Sequence, residues 1–159
     1  MEDTWQDEVI DIDGKIMHYV RTGSGEKPPL VLVHGFSDDG LCWAPTARDL
    51  QADYDIVMPD ARAHGQSGPI RPGEVVDQAA ELAAFLEALE LGPAFVAGHS
   101  MGAWMTSELA ARFPALTRAI ILEDAPWFEP RPDAEGRRPL GEESPHAKWM
   151  RSLAGLTTD

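Results

Sequence analysis

Five residues, Gly98-His99-Ser100-Met101-Gly102, constrain this chain more than any other stretch. A short apolar run at 94–97 leads into them, and a helix-like segment from about 101 to 112, stopped by Pro114, leads out. An apolar run of that kind reads as a strand covered on both faces. A chain that passes from strand to helix through one serine must turn sharply at that serine. The turn forces unusual backbone angles there, and only small flanking residues let strand and helix approach closely. G-x-S-x-G between a strand and a helix is the setting in which a serine hydroxyl is thrust out of a sheet as a nucleophile. The helix then points its positive end at the place where negative charge develops.

The rest of the chain supplies the sheet that such a turn needs. Residues 9–12 and 15–20 are β-like and flank Asp13-Gly14, a strong hairpin signal. Continuous apolar runs at 30–33 and 55–58 predict two more buried strands, and 119–122 predicts a further one. A helix is expected within 41–51, with Pro45 near its first turn. The clearest helix is expected over 74–90, where Val75, Ala79, Leu82, Leu86 and Leu89 form one stripe before Gly92-Pro93 stops it. Strands alternating with helices imply a doubly wound, mostly parallel α/β sheet, here preceded by an antiparallel hairpin. Residues 1–124 read as this core. Beyond Asp124, Pro126, Pro130, Pro132, Pro139 and Pro145 break the chain, and a short helix is expected over 146–153.

Composition narrows the partners. With 27 acidic and 13 basic residues the net charge is −14, so nucleic acid and anionic membranes would be repelled. One cysteine, Cys42, excludes a disulfide framework within the chain and reads as filler rather than a reactive thiol. The opening MEDTWQDEV lacks a basic, then apolar, leader, and no apolar run approaches the roughly 20 residues of a membrane span. A cytoplasmic protein is the expectation. No metal cluster or cofactor motif appears; Gly23-Ser24-Gly25 lacks the lysine and spacing of a nucleotide loop.

Two further motifs sit at predicted strand ends. His34-Gly35-Phe36 follows the run 30–33. Acyl transfer needs two donors for its oxyanion, and the Met101 and Phe36 N–H groups are the candidates. His34 itself reads as a packing residue, not a base. Asp60-Ala61-Arg62-Ala63-His64-Gly65-Gln66-Ser67 follows the run 55–58.

In this order and at these strand ends, the three motifs resemble those of the α/β-hydrolase superfamily, and within it the cap-bearing group of esterases and related enzymes. The resemblance covers about residues 9–126. It departs from the family at Ala63, where glycine is usual. It implies that Arg62 and His64 organise their loop, that His99 packs within the elbow, and that 125–159 begins a cap. Serine at position 100 implies hydrolysis of an ester or related acyl substrate through an acyl-enzyme. No cofactor is implied. The family order places an acid and then a histidine after Ser100. Glu123, with Asp124 beside it, is a candidate acid, and His146 is the single histidine downstream. The family's last strands have no counterpart here, so the core reads as lacking its C-terminal strands. A bare sheet edge, filled by a complementing chain or by self-association, is expected. Trp43, Trp104 and Trp127 are candidates for an apolar acyl pocket, with core packing as the competing account. The alternative function is a non-catalytic member of the fold that binds a small ligand.

Overall fold

The structure is a computed structural model and describes residues 5–126. Each central strand sends alternate apolar side chains to opposite faces, and each face meets its own helical layer. Strand β3 spans Pro29–Val33, β4 Asp55–Pro59 and β5 Ala94–His99. On one face Val31, Val33, Val57 and Val96 pack with Leu82, Phe85 and Leu86 of α2, Gln78–Ala88, and with Met105 and Leu109 of α3, Met101–Arg112. On the other face Leu30, Leu32, Ile56, Met58 and Ala97 pack with Ala47 of α1, Ala44–Leu50. Two-sided burial explains the continuous apolar runs.

The first strands are β1, Gln6–Ile12, and β2, Lys15–Arg21. Their turn has positive φ at both Asp13 and Gly14, as a tight hairpin with right-handed twist requires. Among the described residues strand β6, Thr117–Glu123, is last in the sheet, whose order is β1-β2-β4-β3-β5-β6. Pairs β1/β2 and β2/β4 are antiparallel; β4/β3, β3/β5 and β5/β6 are parallel. The expected fold class is therefore the observed one.

The boundaries differ in instructive places. Helix α2 begins at Gln78, not at residue 74, because the Asp77 carboxylate accepts from the Ala80 N–H at 3.0 Å and caps it. Arg112 also donates to Asp77 and holds its carboxyl down at about pKa 2. Val75 lies outside the helix and is 94% exposed, so it does not belong to the apolar stripe. Strand β1 starts earlier than its apolar residues, since Gln6 pairs with Arg21 in the hairpin register. Residues 40–43 form a 3-10 turn ahead of α1, with Pro45 in the helix's first turn as expected. The expected helix over 146–153, His146, Trp127 and all but the first two residues of the cap segment 125–159 lie outside the described residues. Among the described residues, no helix is long and apolar enough to cross a membrane.

Candidate active site

The sheet has one place where the chain changes direction across it. From β3 it steps to β4 on one side, then crosses back to β5 on the other. Loops leaving the carboxyl ends of β3 and β5 diverge there, and such a crevice is where doubly wound sheets bind ligands. Val33 and Gly98 are register partners on these two strands. Phe36 and Ser100 thus leave neighbouring strands at the same end.

The elbow has the predicted strain. Ser100 sits at φ 52°, ψ −113°, between the last residue of β5 and the first of α3. A non-glycine residue in this region costs about 1–3 kcal/mol and persists where its surroundings enforce it. A Cβ on Gly98 would fall 2.6 Å from the Ala103 nitrogen, and one on Gly102 would fall 2.6 Å from the His34 oxygen. Both glycines are thus required by backbone approach, and Gly102 packs the first turn of α3 against the end of β3. The Ser100 N–H donates to the Glu123 carbonyl at 2.9 Å, and the Ser100 carbonyl accepts from Trp104 at 3.1 Å. Met101 is half-buried and packs against the core, with its main chain at the helix start.

The loop after β3 is held by imidazole. The Ala61 N–H donates to His34 Nε2 at 2.9 Å, so that nitrogen carries no proton. Its Nδ1–H then donates to the Gly35 carbonyl at 2.6 Å. Burial lowers the His34 pKa, outweighing the opposite pull of the bond to the Gly35 carbonyl, and keeps the ring neutral. The Gly35 carbonyl and the Phe36 N–H lie on opposite edges of one trans peptide. Holding the carbonyl therefore aims the N–H. Gly35 is required for space: a Cβ there would lie 2.9 Å from His99 Nδ1, which places the His99 ring beneath the loop, in the packing role expected of it.

Asp60 fastens the neighbouring loops. Its carboxylate accepts from the Gly40 N–H at 2.7 Å and the Gln66 N–H at 2.8 Å, and contacts His18 Nδ1 at 2.8 Å. Arg62 reaches away from its loop, to Glu74 and to Glu81 on α2. The three charged residues form a chain, buried at Arg62 and Glu81 and half-buried at Glu74, that sequence spacing does not reveal. His64 crosses to the loop after β3 instead of serving its own loop alone. The positive φ of Ala63, 62°, is the conformation for which glycine is usual at that position.

A cleft of about 550 Å³ runs beside the loop after β3, lined by Ser37, Asp38, Asp39, Leu41, Cys42 and Gly65. Cys42 is an exposed residue, yet loss of hydration at its thiol and then the nearby carboxylates push its pKa up to about 11. The thiol is therefore protonated at neutral pH and is no nucleophile. Glu123 pairs with His99 in register, and its main chain touches the elbow, while its side chain is exposed. Trp43 packs against the core on the α1 face, and Trp104 is 39% exposed on α3. Among the described residues, no group of His, Cys, Asp and Glu could hold a metal ion.

The sequence matches the alpha/beta hydrolase fold family over residues 28–142, and the chain belongs to that family. It is 33% identical over 114 residues to the (E)-2-((N-methylformamido)methylene)succinate hydrolase of Acinetobacter baylyi, covering 69% of this chain and 41% of that protein. It is 34% identical over 113 residues to the dihydrolipoyllysine-residue acetyltransferase component of the acetoin cleaving system of Cupriavidus necator, covering 70% of this chain and 30% of that one. The crystal structure of E-2-(acetamidomethylene)succinate hydrolase superposes with a TM-score of 0.69 at 25% identity, over 82% of this chain and 47% of that one. The chain thus spans less than half the length of each of these relatives.

Proposed function

We propose that this chain supplies the nucleophile and the oxyanion donors of a serine acyl hydrolase. The observation that carries the reading is the backbone of Ser100, at φ 52° and ψ −113°, where β5 meets α3 at the sheet's switch point. Ser100 Oγ attacks the carbonyl carbon of an ester or related acyl substrate. The Met101 and Phe36 N–H groups receive the oxyanion, the alcohol or thiol leaves, and water then releases the acid from the serine. The proton of Ser100 passes to a histidine that we assign outside residues 5–126, because His18, His34 and His64 are each held in contacts of their own at both ring nitrogens, and the His99 ring lies against Gly35 in the loop after β3. Glu123 is the candidate to orient that histidine. Relatives named as hydrolases support the reaction type, and the substrates in their names are amide-bearing succinates.

The test is hydrolysis of short-chain aryl esters by the purified chain beside Ser100→Ala. Activity lost in the variant supports the assignment and shows that a base lies within the chain. Equal activity in both sinks Ser100 as nucleophile. Silence in both, followed by activity on adding the C-terminal half of a relative, places the base in that half.

A further inference from the structure

The loop after β4 makes a closed turn. The Ala63 N–H donates to the Gly68 carbonyl at 2.9 Å, and the Ser67 N–H donates to the His64 carbonyl at 3.0 Å. The left-handed φ of Ala63 ends this turn so that the next side chain leaves it. That side chain is His64. Its Nε2 lies 2.7 Å from the Phe36 carbonyl oxygen on the other loop, and its Nδ1 lies 3.0 Å from the Arg62 carbonyl oxygen. Carbonyls only accept, so in the bond to Phe36 the ring donates, through Nε2–H. Ring contacts fix the same pose: the imidazole stands 5.5 Å from the Phe36 ring, edge to face, and 5.1 Å from the His34 ring.

We infer that His64 is a positioning residue for the oxyanion donor at Phe36. The inference rests on the reading of the Phe36 N–H as that donor. Two torsions set where the N–H points, and each has a handle. The His34 ring holds the Gly35 carbonyl, on the same peptide as the Phe36 N–H. The His64 ring holds the Phe36 carbonyl, on the next peptide. Residue 36 lies in no helix or strand. With both flanking carbonyls fixed, the donor is preorganised, and preorganised donors lower a barrier without reorganising during reaction. Asp60 ties the same two loops a second time, through the Gly40 and Gln66 N–H groups.

The test compares the 159-residue chain with His64→Leu and His64→Gln. Amide spectra and amide exchange are read without any need for turnover. In His64→Leu, the Ser37 amide, whose peptide contains the Phe36 carbonyl, shifts and exchanges about tenfold faster. In His64→Gln, whose side-chain N–H reaches the same carbonyl, both return towards wild type. His64→Asn, polar but too short to reach, replaces the Leu variant if that one does not fold. Changes confined to residues 61–68, with Phe36 and Ser37 unmoved, overturn the inference. With an aryl ester, kcat falls about tenfold in His64→Leu while KM stays within about twofold, less than the 10²–10³ lost with a whole oxyanion donor. A fall shared by kcat and every amide in the chain also overturns it. A wild-type chain that turns over no ester, even with the C-terminal half of a relative added, counts against the Ser100 reading, and the amide measurements still decide the role of His64.

Discussion

The loops at the carboxyl ends of β3 and β4 and the strand β6 stand at two extremes of the same sheet. The loops have no regular ladder, yet each is held by side chains: Ala61 by His34, Gly40 and Gln66 by Asp60, Phe36 by His64. Strand β6 has a full ladder on one side and nothing paired on the other within the described residues. Its Ile120 and Ile121, on opposite faces, are 37% and 66% exposed. Regular hydrogen bonding and burial therefore do not go together here. The irregular region is the better fixed one, because its polar groups are satisfied by buried partners whose removal is costly.

The sharpest way to break that contrast is Asp60→Ala. It leaves the buried Gly40 N–H, the Gln66 N–H and His18 without their acceptor. We expect a loss of about 3–5 kcal/mol in urea unfolding, the range for breaking a buried polar pair. A loss below about 1 kcal/mol would show that the loops are held by packing alone.

Next in size is a pH effect at His18, whose ring nitrogens lie 2.8 Å from Asp60 and 2.8 Å from Asp7. Burial alone would lower its pKa, but hydrogen bonds and charge from these two carboxylates outweigh burial and raise it. A raised folded value means that the contribution is full below the ordinary pKa of 6.5 and is lost as pH rises through the folded value. The stability gap between wild type and His18→Gln should accordingly shrink on going from acid towards alkaline pH. A gap that widens instead reverses the assignment. His34 works in the opposite sense: its lowered pKa gives stability that is present above 6.5 and lost as pH falls.

Ala63→Gly sharpens the contrast from the favourable side. An L-residue at φ 62° is strained by about 1–2 kcal/mol, and glycine returns about half of that as backbone entropy. A rise of about 0.5–1 kcal/mol is expected, and a fall would mean that the Ala63 methyl packs usefully. The smallest effect is expected at the bare edge. Ile121→Lys should change stability by no more than about 0.5 kcal/mol, while lowering apolar-dye binding and any self-association seen by light scattering. A loss above about 2 kcal/mol would reveal Ile121 as part of a core.

Much of this was legible in the sequence. The apolar runs at 30–33, 55–58 and 94–97 identified the central strands because both faces are covered, so no alternation had to be decoded. The elbow was legible because Gly98 and Gly102 are sterically required, and sequence shows glycines directly. The start of α2 was missed although Asp77 stands immediately ahead of the helical run, which is a readable cap. Links between loops were not legible at all. Nothing local in Asp60 or His64 says that one reaches Gly40 and the other Phe36, because these contacts join residues 20 and 28 positions apart.

The bond from the Ser100 N–H to the Glu123 carbonyl joins the strained turn to the last described strand of the sheet. The Ser100 amide is therefore a clock for that margin. Its proton is released when β6 frays, not when α3 unwinds, so the exchange time at one backbone position reads out how firmly the far side of the molecule is closed.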